Sequence, residues 1–80
     1  MEYTWPMKTK VNLAVFYAGG QSALALKIGV SRQATNRWDR SGNIPPERII
    51  DVCRAGGWQV VPHEIRPDIY PNPGDGLPPG

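Results

Sequence analysis

Five polar side chains recur at helical spacing between residues 32 and 40, and their types suit hydrogen bonding to a nucleic acid. They are Arg32, Gln33, Asn36, Arg37 and Arg40. At 100° per residue they share one arc of a helix, opposite an arc that holds Ala34, Thr35 and Trp38. Guanidinium groups can donate to guanine or hold phosphate, and carboxamides can pair with adenine. Such an exposed arc is typical of a helix that reads DNA.

The residues before this helix predict a short helix and a tight turn. Leu24 and Ile28 share one helix face, and Ala25 beside them is small enough for two helices to cross closely. Gly29 can adopt the positive φ that turns the chain sharply, and Val30 can place an apolar side chain under the turn. The predicted helix-turn-helix core comprises Leu24, Ala25, Ile28, Gly29, Val30, Ala34, Thr35 and Trp38.

The other elements follow from apolar periodicity and from glycine and proline positions. We predict helices over residues 9–18, 21–28 and 31–40, a fourth from Pro46 to Gly56, and one further helical turn over 62–66. Ser31 is well placed to cap the third helix. Residues 58–61 fit either a short strand or an extended connection. The predicted fold class is all-α, a small domain of about five helices with an irregular C-terminal segment.

Composition divides the 80-residue chain into three parts. Residues 1–8 show no periodicity and are expected to be loosely ordered, whereas residues 9–70 form the domain. From Pro67 onward, five of the nine prolines and three of the nine glycines fall within fourteen residues. Few apolar side chains remain there to offset the ordering entropy, so residues 71–80 are predicted to be a disordered tail.

The charge of the domain favours a polyanionic partner. All nine Lys and Arg residues lie between positions 8 and 66 with only four acidic residues, which gives that stretch a net charge of +5. The N-terminus lacks the apolar run of a signal peptide, and no apolar run is long enough to span a membrane. We therefore expect a cytoplasmic protein with neither a membrane partner nor a small-molecule substrate.

The first helix carries more apolar residues than one buried stripe requires. Its stripe consists of Val11, Ala14, Val15 and Ala18. Leu13, Phe16 and Tyr17 lie off that stripe, so a second face should be buried, either against the C-terminal segment or against another subunit. The sequence leaves both alternatives open.

The residue types that could support catalysis or metal binding are isolated. His63 has no second histidine or cysteine near it in the sequence, which is poor metal chemistry. Cys53 is the sole cysteine and falls on the apolar face of the fourth helix, where a buried structural thiol is expected. We therefore predict no enzymatic activity, no metal and no cofactor.

The segment QSALALKIGVSRQATNRWDR resembles the helix-turn-helix of the Cro and repressor superfamily of phage regulators. The wider run GGQSALALKIGVSRQATNRWDRSGNIPPERIIDVCRAGG, followed by HEIRPDIYP, is similar to YdaS-type Cro-like regulators, and together these cover about residues 10–71. The resemblance implies a lambda-repressor-like domain that represses transcription at a phage or prophage operator. It also implies Val or Ile where this chain has Thr35, whose hydroxyl would need a partner such as the carbonyl one turn back.

Residue roles follow from the polar arc and from the resemblance. The expected base contacts are Arg32, Gln33, Asn36 and Arg37, and the expected phosphate contacts are Gln21, Ser31, Arg40 and Asn43. The expected partner is double-stranded operator DNA, bound by a homodimer whose recognition helices lie about 34 Å apart. The alternative is an antitoxin-type protein that binds a partner protein through residues 58–70.

Overall fold

Five helices make up the domain in the computed structural model, which describes residues 9–78. They are α1 Lys10–Tyr17, α2 Gln21–Ile28, α3 Arg32–Ser41, α4 Ile49–Ala55 and α5 Pro62–Ile65, and a 3₁₀ turn at Pro46–Arg48 leads into α4. No strand occurs within residues 9–78. The all-α prediction is confirmed. The predictions for residues 1–8 and for the last two tail residues lie outside the described residues.

Two side-chain caps fix where α1 and α3 begin. The Thr9 hydroxyl accepts from the Asn12 backbone N–H at 3.1 Å, and the Asn12 side chain accepts in return from the Thr9 backbone N–H. Ser31 accepts from the Ala34 N–H at 3.1 Å, as its predicted capping role requires. Both helices therefore begin one residue later than predicted, because the capping residue itself is extended rather than helical.

The turn between α2 and α3 depends on a left-handed residue. Gly29 has φ 75° and ψ 35°, a conformation that other residues adopt only with strain. The N–H groups of Gly29 and Val30 both donate to the carbonyl of Ala25, at 2.9 and 3.0 Å. These bonds close α2, and the chain then enters α3 in a new direction.

One apolar core holds the helices together. Its members come from every helix but α5 and from two connections: Val11, Ala14, Val15, Ala18, Leu24, Trp38, Ile44, Ile49, Val52, Cys53 and Val60. Of the predicted helix-turn-helix core, Leu24, Ala25, Thr35 and Trp38 are buried. Ile28, Val30 and Ala34 are half-buried against them, and Gly29 is exposed, so it contributes through its backbone conformation.

The surplus apolar residues of α1 separate into two groups. Leu13 packs against the core, whereas Phe16 and Tyr17 remain 52% and 44% exposed. Their rings contact each other edge to face, with centroids 5.5 Å apart. The C-terminal segment therefore does not cover this aromatic pair, which is the first of the two alternatives that the sequence left open.

The segment after α4 is irregular rather than a strand. The Trp58 N–H donates to the Cys53 carbonyl at 2.9 Å, and Trp58 itself has a positive φ of 62°. The chain reaches α5 through bends, and the Val61 N–H donates to the Glu64 carboxylate at 3.1 Å. None of the helices within residues 9–78 combines the length and apolar character needed to cross a membrane.

The first eight residues of the predicted disordered tail are ordered into turns. The Asp75 N–H donates to the Asn72 carbonyl at 2.9 Å, and the Asp75 carboxylate accepts from the Asn72 N–H at 3.0 Å. Gly76 lies so close to the domain that a Cβ there would come within 2.9 Å of Pro62 Cγ and 3.2 Å of Tyr70 Cε1. Disorder is thus not what residues 71–78 show. Composition alone could not reveal a contact that depends on the absence of a side chain.

Candidate nucleic-acid interface

The polar arc of α3 forms one continuous surface. Arg32, Gln33, Arg37 and Arg40 are exposed, and together with Asn36 and Ser41 they line an open depression. Four of the five predicted arc residues therefore face solvent as expected, while Asn36 is half-buried at the inner edge of the arc.

The arginines of this surface are free of acidic partners within the part of the chain that the structure describes. Ion pairs form elsewhere, at Lys10–Glu64, Arg48–Asp51, Arg54–Asp51 and Arg66–Asp68. No carboxylate lies within 4 Å of a guanidinium nitrogen of Arg32, Arg37 or Arg40 across residues 9–78. These cations can therefore bind an external anion without first breaking an internal pair.

The four predicted phosphate contacts are not gathered at one place. Arg40 lies in the depression, but Gln21, Ser31 and Asn43 do not line it. Ser31 is exposed at the start of α3 and keeps its hydroxyl proton for donation, since its oxygen accepts from the helix. Asn43 is exposed just beyond the end of α3, where its N–H donates to the Ser41 hydroxyl at 3.2 Å.

A chain of side-chain hydrogen bonds runs beneath the polar arc and joins α1, α2 and α3. Asn36 Nδ2 donates to Gln21 Oε1 at 2.9 Å, and Gln21 Nε2 donates to Asp39 Oδ2 at 2.8 Å. Asn12 Nδ2 donates to Asp39 Oδ1 at 2.6 Å and to the Asp39 carbonyl at 2.7 Å. We call Asn12, Asp39, Gln21 and Asn36 the amide relay. All four residues are half-buried.

Sequence reasoning missed two members of the amide relay. Asp39 was visible as the only acidic residue between positions 32 and 40, and Asn12 as a polar residue in an otherwise apolar helix after its first position. Those are the signals that could have identified them. Their positions are 27 residues apart along the chain, so a pairing between them is a property of the fold.

The isolated residues with chemical potential are tied into the structure. His63 Nδ1 lies 2.8 Å from the Tyr70 carbonyl, which can only accept, so Nδ1 carries the proton in this bond. Burial, with a smaller contribution from the negative charge of Glu64, raises the pKa of Cys53 to about 12. Residues 9–78 contain no group of three or more His, Cys, Asp or Glu side chains arranged to hold a metal ion.

A family model described as bacterial toxin YdaS matches residues 11–73, a range that contains most of α1, all of α2 to α5 and the whole amide relay. The chain belongs to the YdaS family. The resemblance to YdaS-type proteins predicted from the helix-turn-helix and the residues that follow it is therefore confirmed. No solved structure matches the chain.

One curated relative of this YdaS family member is the Escherichia coli (strain K12) protein named "Putative transcriptional regulator YdaS". The two are 42% identical over 52 residues, which cover 64% of this chain and 53% of the relative. The match thus spans about half the length of that protein. The family description and the relative's name differ, since one refers to a toxin and the other to a transcriptional regulator.

Proposed function

We propose that this chain is a non-enzymatic, sequence-specific regulator of transcription that binds double-stranded DNA and represses a phage or prophage operator. The observation that carries the proposal is the set of three exposed arginines without acidic partners on α3, a helix set at an angle to α2 by a left-handed glycine turn. The name of the Escherichia coli relative supports the same class of function.

In this proposal α3 enters the major groove. Arg32, Gln33, Asn36 and Arg37 contact base edges, because they lie in the first two turns of α3, the part of a recognition helix that comes nearest to the bases. Gln21, Ser31, Arg40 and Asn43 contact the phosphate backbone around them. Arginine suits the guanine O6 and N7 atoms, and the carboxamides suit the adenine N6 and N7 atoms.

The proposed binding unit is a homodimer on a palindromic operator, with α3 of each copy in successive major grooves about 34 Å apart. One ten-residue helix contacts few base pairs, so two copies are needed to specify a site of useful length. The exposed aromatic pair Phe16 and Tyr17 is the surface we assign to the contact between the copies.

An antitoxin-type role, in which residues 58–70 bind a partner protein, is less favoured by the packing. Trp58, Ile65 and Tyr70 lie against the core of the domain itself, so their apolar surface is partly used. Ile69 is 39% exposed and is the one large apolar side chain that this segment offers to a partner. That surface is small beside the basic face of α3.

Selection from a pool of randomised duplexes tests the proposal for any operator sequence. The full chain is expected to enrich a palindromic motif, which is then sought by footprinting upstream of its own gene. Arg37→Ala should abolish enrichment of the motif, while Arg54→Ala serves as the control, since Arg54 is also exposed but lies on α4. Enrichment of no motif by the parent protein would overturn the proposal.

A toxin role for the same surface is tested by expression in a bacterial host. If the family description reflects DNA binding at host sites, growth arrest by the parent chain should be relieved by Arg37→Ala and kept by Arg54→Ala. Growth arrest that both variants retain would assign toxicity to another surface.

A further inference from the structure

The amide relay contains one group whose hydrogen-bonding polarity cannot change, and this group is the carboxylate of Asp39. We propose that Asp39 is a positioning residue that sets the orientation of the Asn36 carboxamide and thereby the base that Asn36 prefers. The inference rests on the proposed function, because it concerns how one of the proposed base contacts is held.

The polarity argument begins at Asp39 and proceeds outward to Asn36. An ionised carboxylate only accepts hydrogen bonds, so Gln21 must turn its NH₂ group toward Asp39 Oδ2, 2.8 Å away. The Gln21 oxygen then faces Asn36, so Asn36 must offer its own NH₂ group, at 2.9 Å. Reversing either amide would bring two donors or two acceptors together, which leaves half-buried groups unsatisfied.

The carboxylate itself is held from the opposite side by α1. Asn12 donates to Asp39 Oδ1 and to the Asp39 carbonyl, and Asn12 Oδ1 accepts from the Thr9 N–H at 3.2 Å. The orientation of Asn12 is therefore fixed by the helix cap, independently of α2. Each carboxylate oxygen of Asp39 thus has its own donor on a different helix.

This arrangement leaves Asn36 with a defined pair of free groups. One N–H is used by Gln21, while the second N–H and the Oδ1 atom remain for a ligand. A donor and an acceptor side by side match N7 and N6 of adenine. Because the amide is oriented before DNA arrives, the complex loses less side-chain entropy, and the reversed orientation is not available to other bases.

Asp39→Asn tests the inference with almost no change in shape. An asparagine cannot accept from both Asn12 and Gln21, so one of them is free to reverse, and Asn36 loses its fixed orientation. Adenine preference at the single base pair contacted by Asn36 is expected to fall by about 5- to 30-fold, which corresponds to about 1–2 kcal/mol. Preference at the other positions of the motif should be unchanged.

The loss of a negative charge is controlled by Glu47→Gln. Glu47 is exposed in the 3₁₀ turn and pairs with no Lys or Arg among residues 9–78. Both variants should bind all sequences more tightly at low salt, but only Asp39→Asn should lose the adenine preference. In an Asn36→Ala background, Asp39→Asn should have no further effect on base preference. Retained preference in Asp39→Asn would overturn the inference.

A measurement without DNA separates failure of the inference from failure of the proposed function. In the free protein, the side-chain NH₂ protons of Gln21 and Asn36 should exchange with solvent more slowly than those of Asn43, which is exposed, and Asp39→Asn should accelerate both. Equal exchange rates for Asn36 and Asn43 would overturn the relay even if the protein binds DNA. Slow exchange in a protein without sequence preference would leave the relay standing and reject only its role in reading bases.

Should Asp39→Asn fail to fold by circular dichroism, Gln21→Met decides the question. Methionine has a similar shape but no hydrogen-bonding amide, so it disconnects Asn36 from Asp39 while leaving the Asn12–Asp39 bonds in place. The same local loss of adenine preference is expected, and an unchanged preference would contradict the inference.

Discussion

The Thr35 hydroxyl lies 3.0 Å from the carbonyl oxygen of Gln21 and 2.9 Å from that of Arg32. Thr35 is fully buried, and its single proton is shared between the first residue of α2 and the first residue of α3. The partner one turn back that the sequence requires for this hydroxyl is therefore present. The second partner could not be predicted, because it belongs to the neighbouring helix.

Replacing Thr35 by valine should cost about 0.5–1.5 kcal/mol in the free energy of unfolding, since shape is kept and one hydrogen-bonding group is lost. Denaturant unfolding followed by circular dichroism measures this change. Thr35→Ser is the matched variant, because it keeps the hydroxyl and loses a buried methyl group. A Thr35→Val protein more stable than its parent would show that the hydroxyl contributes nothing to the α2–α3 contact.

Gly29→Val should destabilise the domain by about 1–3 kcal/mol, because a β-branched residue resists the left-handed conformation. The cost is conformational rather than steric, since a Cβ at Gly29 would meet no atom within 4 Å. Gly74→Val is the control, because a Cβ there also meets open space and Gly74 has no positive φ. Equal melting temperatures for the two variants would contradict the turn geometry.

Local chemistry explains which parts of the fold could be predicted. The Ser31 cap and the Gly29 turn involve atoms within four residues of each other, so residue type and spacing were sufficient. The bounds of α4 were less predictable, because Pro46 opens a 3₁₀ turn before the α-helix begins at Ile49. The contact of Gly76 with Pro62 joins distant residues and leaves no mark in composition.

The candidate site was predicted in part for the same reason. Periodicity places Arg32, Arg37 and Arg40 on one face, because that depends on α3 alone. Gln21 and Asn36 were expected to contact phosphate and base separately, yet the structure joins them through a hydrogen bond across 15 residues of chain. Pairings of this kind require the helix packing to be known.

Cys53 should react very slowly with a thiol reagent in the native state. Its pKa of about 12 leaves about one thiolate in ten thousand at pH 8, and the side chain is buried. Labelling should therefore follow unfolding of the domain and accelerate in urea in step with the loss of helical signal. Rapid labelling under native conditions would show that α4 opens independently of the core.

DNA binding should be cooperative in protein concentration if Phe16 and Tyr17 join two copies. Phe16→Ser should reduce that cooperativity and shift the species on DNA toward one protein per half-site, as measured by sedimentation with operator duplex. Leu26→Ser is the control, since Leu26 is 87% exposed but lies on α2. Equal losses in both variants would reject this contact surface, and independent half-site binding by the parent would reject the dimer.

Arg37 and Arg40 are both exposed on α3, but they lie three residues apart and should do different work on DNA. Arg37 is placed to donate two N–H groups to guanine O6 and N7, so Arg37→Ala should lose about 1–3 kcal/mol of discrimination at one base pair. Arg40, nearer the end of the helix, is placed for phosphate. Arg40→Ala should weaken all sequences alike and lower the slope of log affinity against log salt by about 1.

Titrations of both variants on the selected motif and on a scrambled duplex, across a salt series, distinguish these roles. The affinity ratio between the two duplexes should collapse for Arg37→Ala and stay constant for Arg40→Ala, because a phosphate contact is present on any sequence. The Arg54→Ala control should change neither the ratio nor the slope. If both α3 variants lost motif and scrambled binding in equal proportion, α3 would be a nonspecific phosphate clamp, and specificity would have to come from another part of the protein.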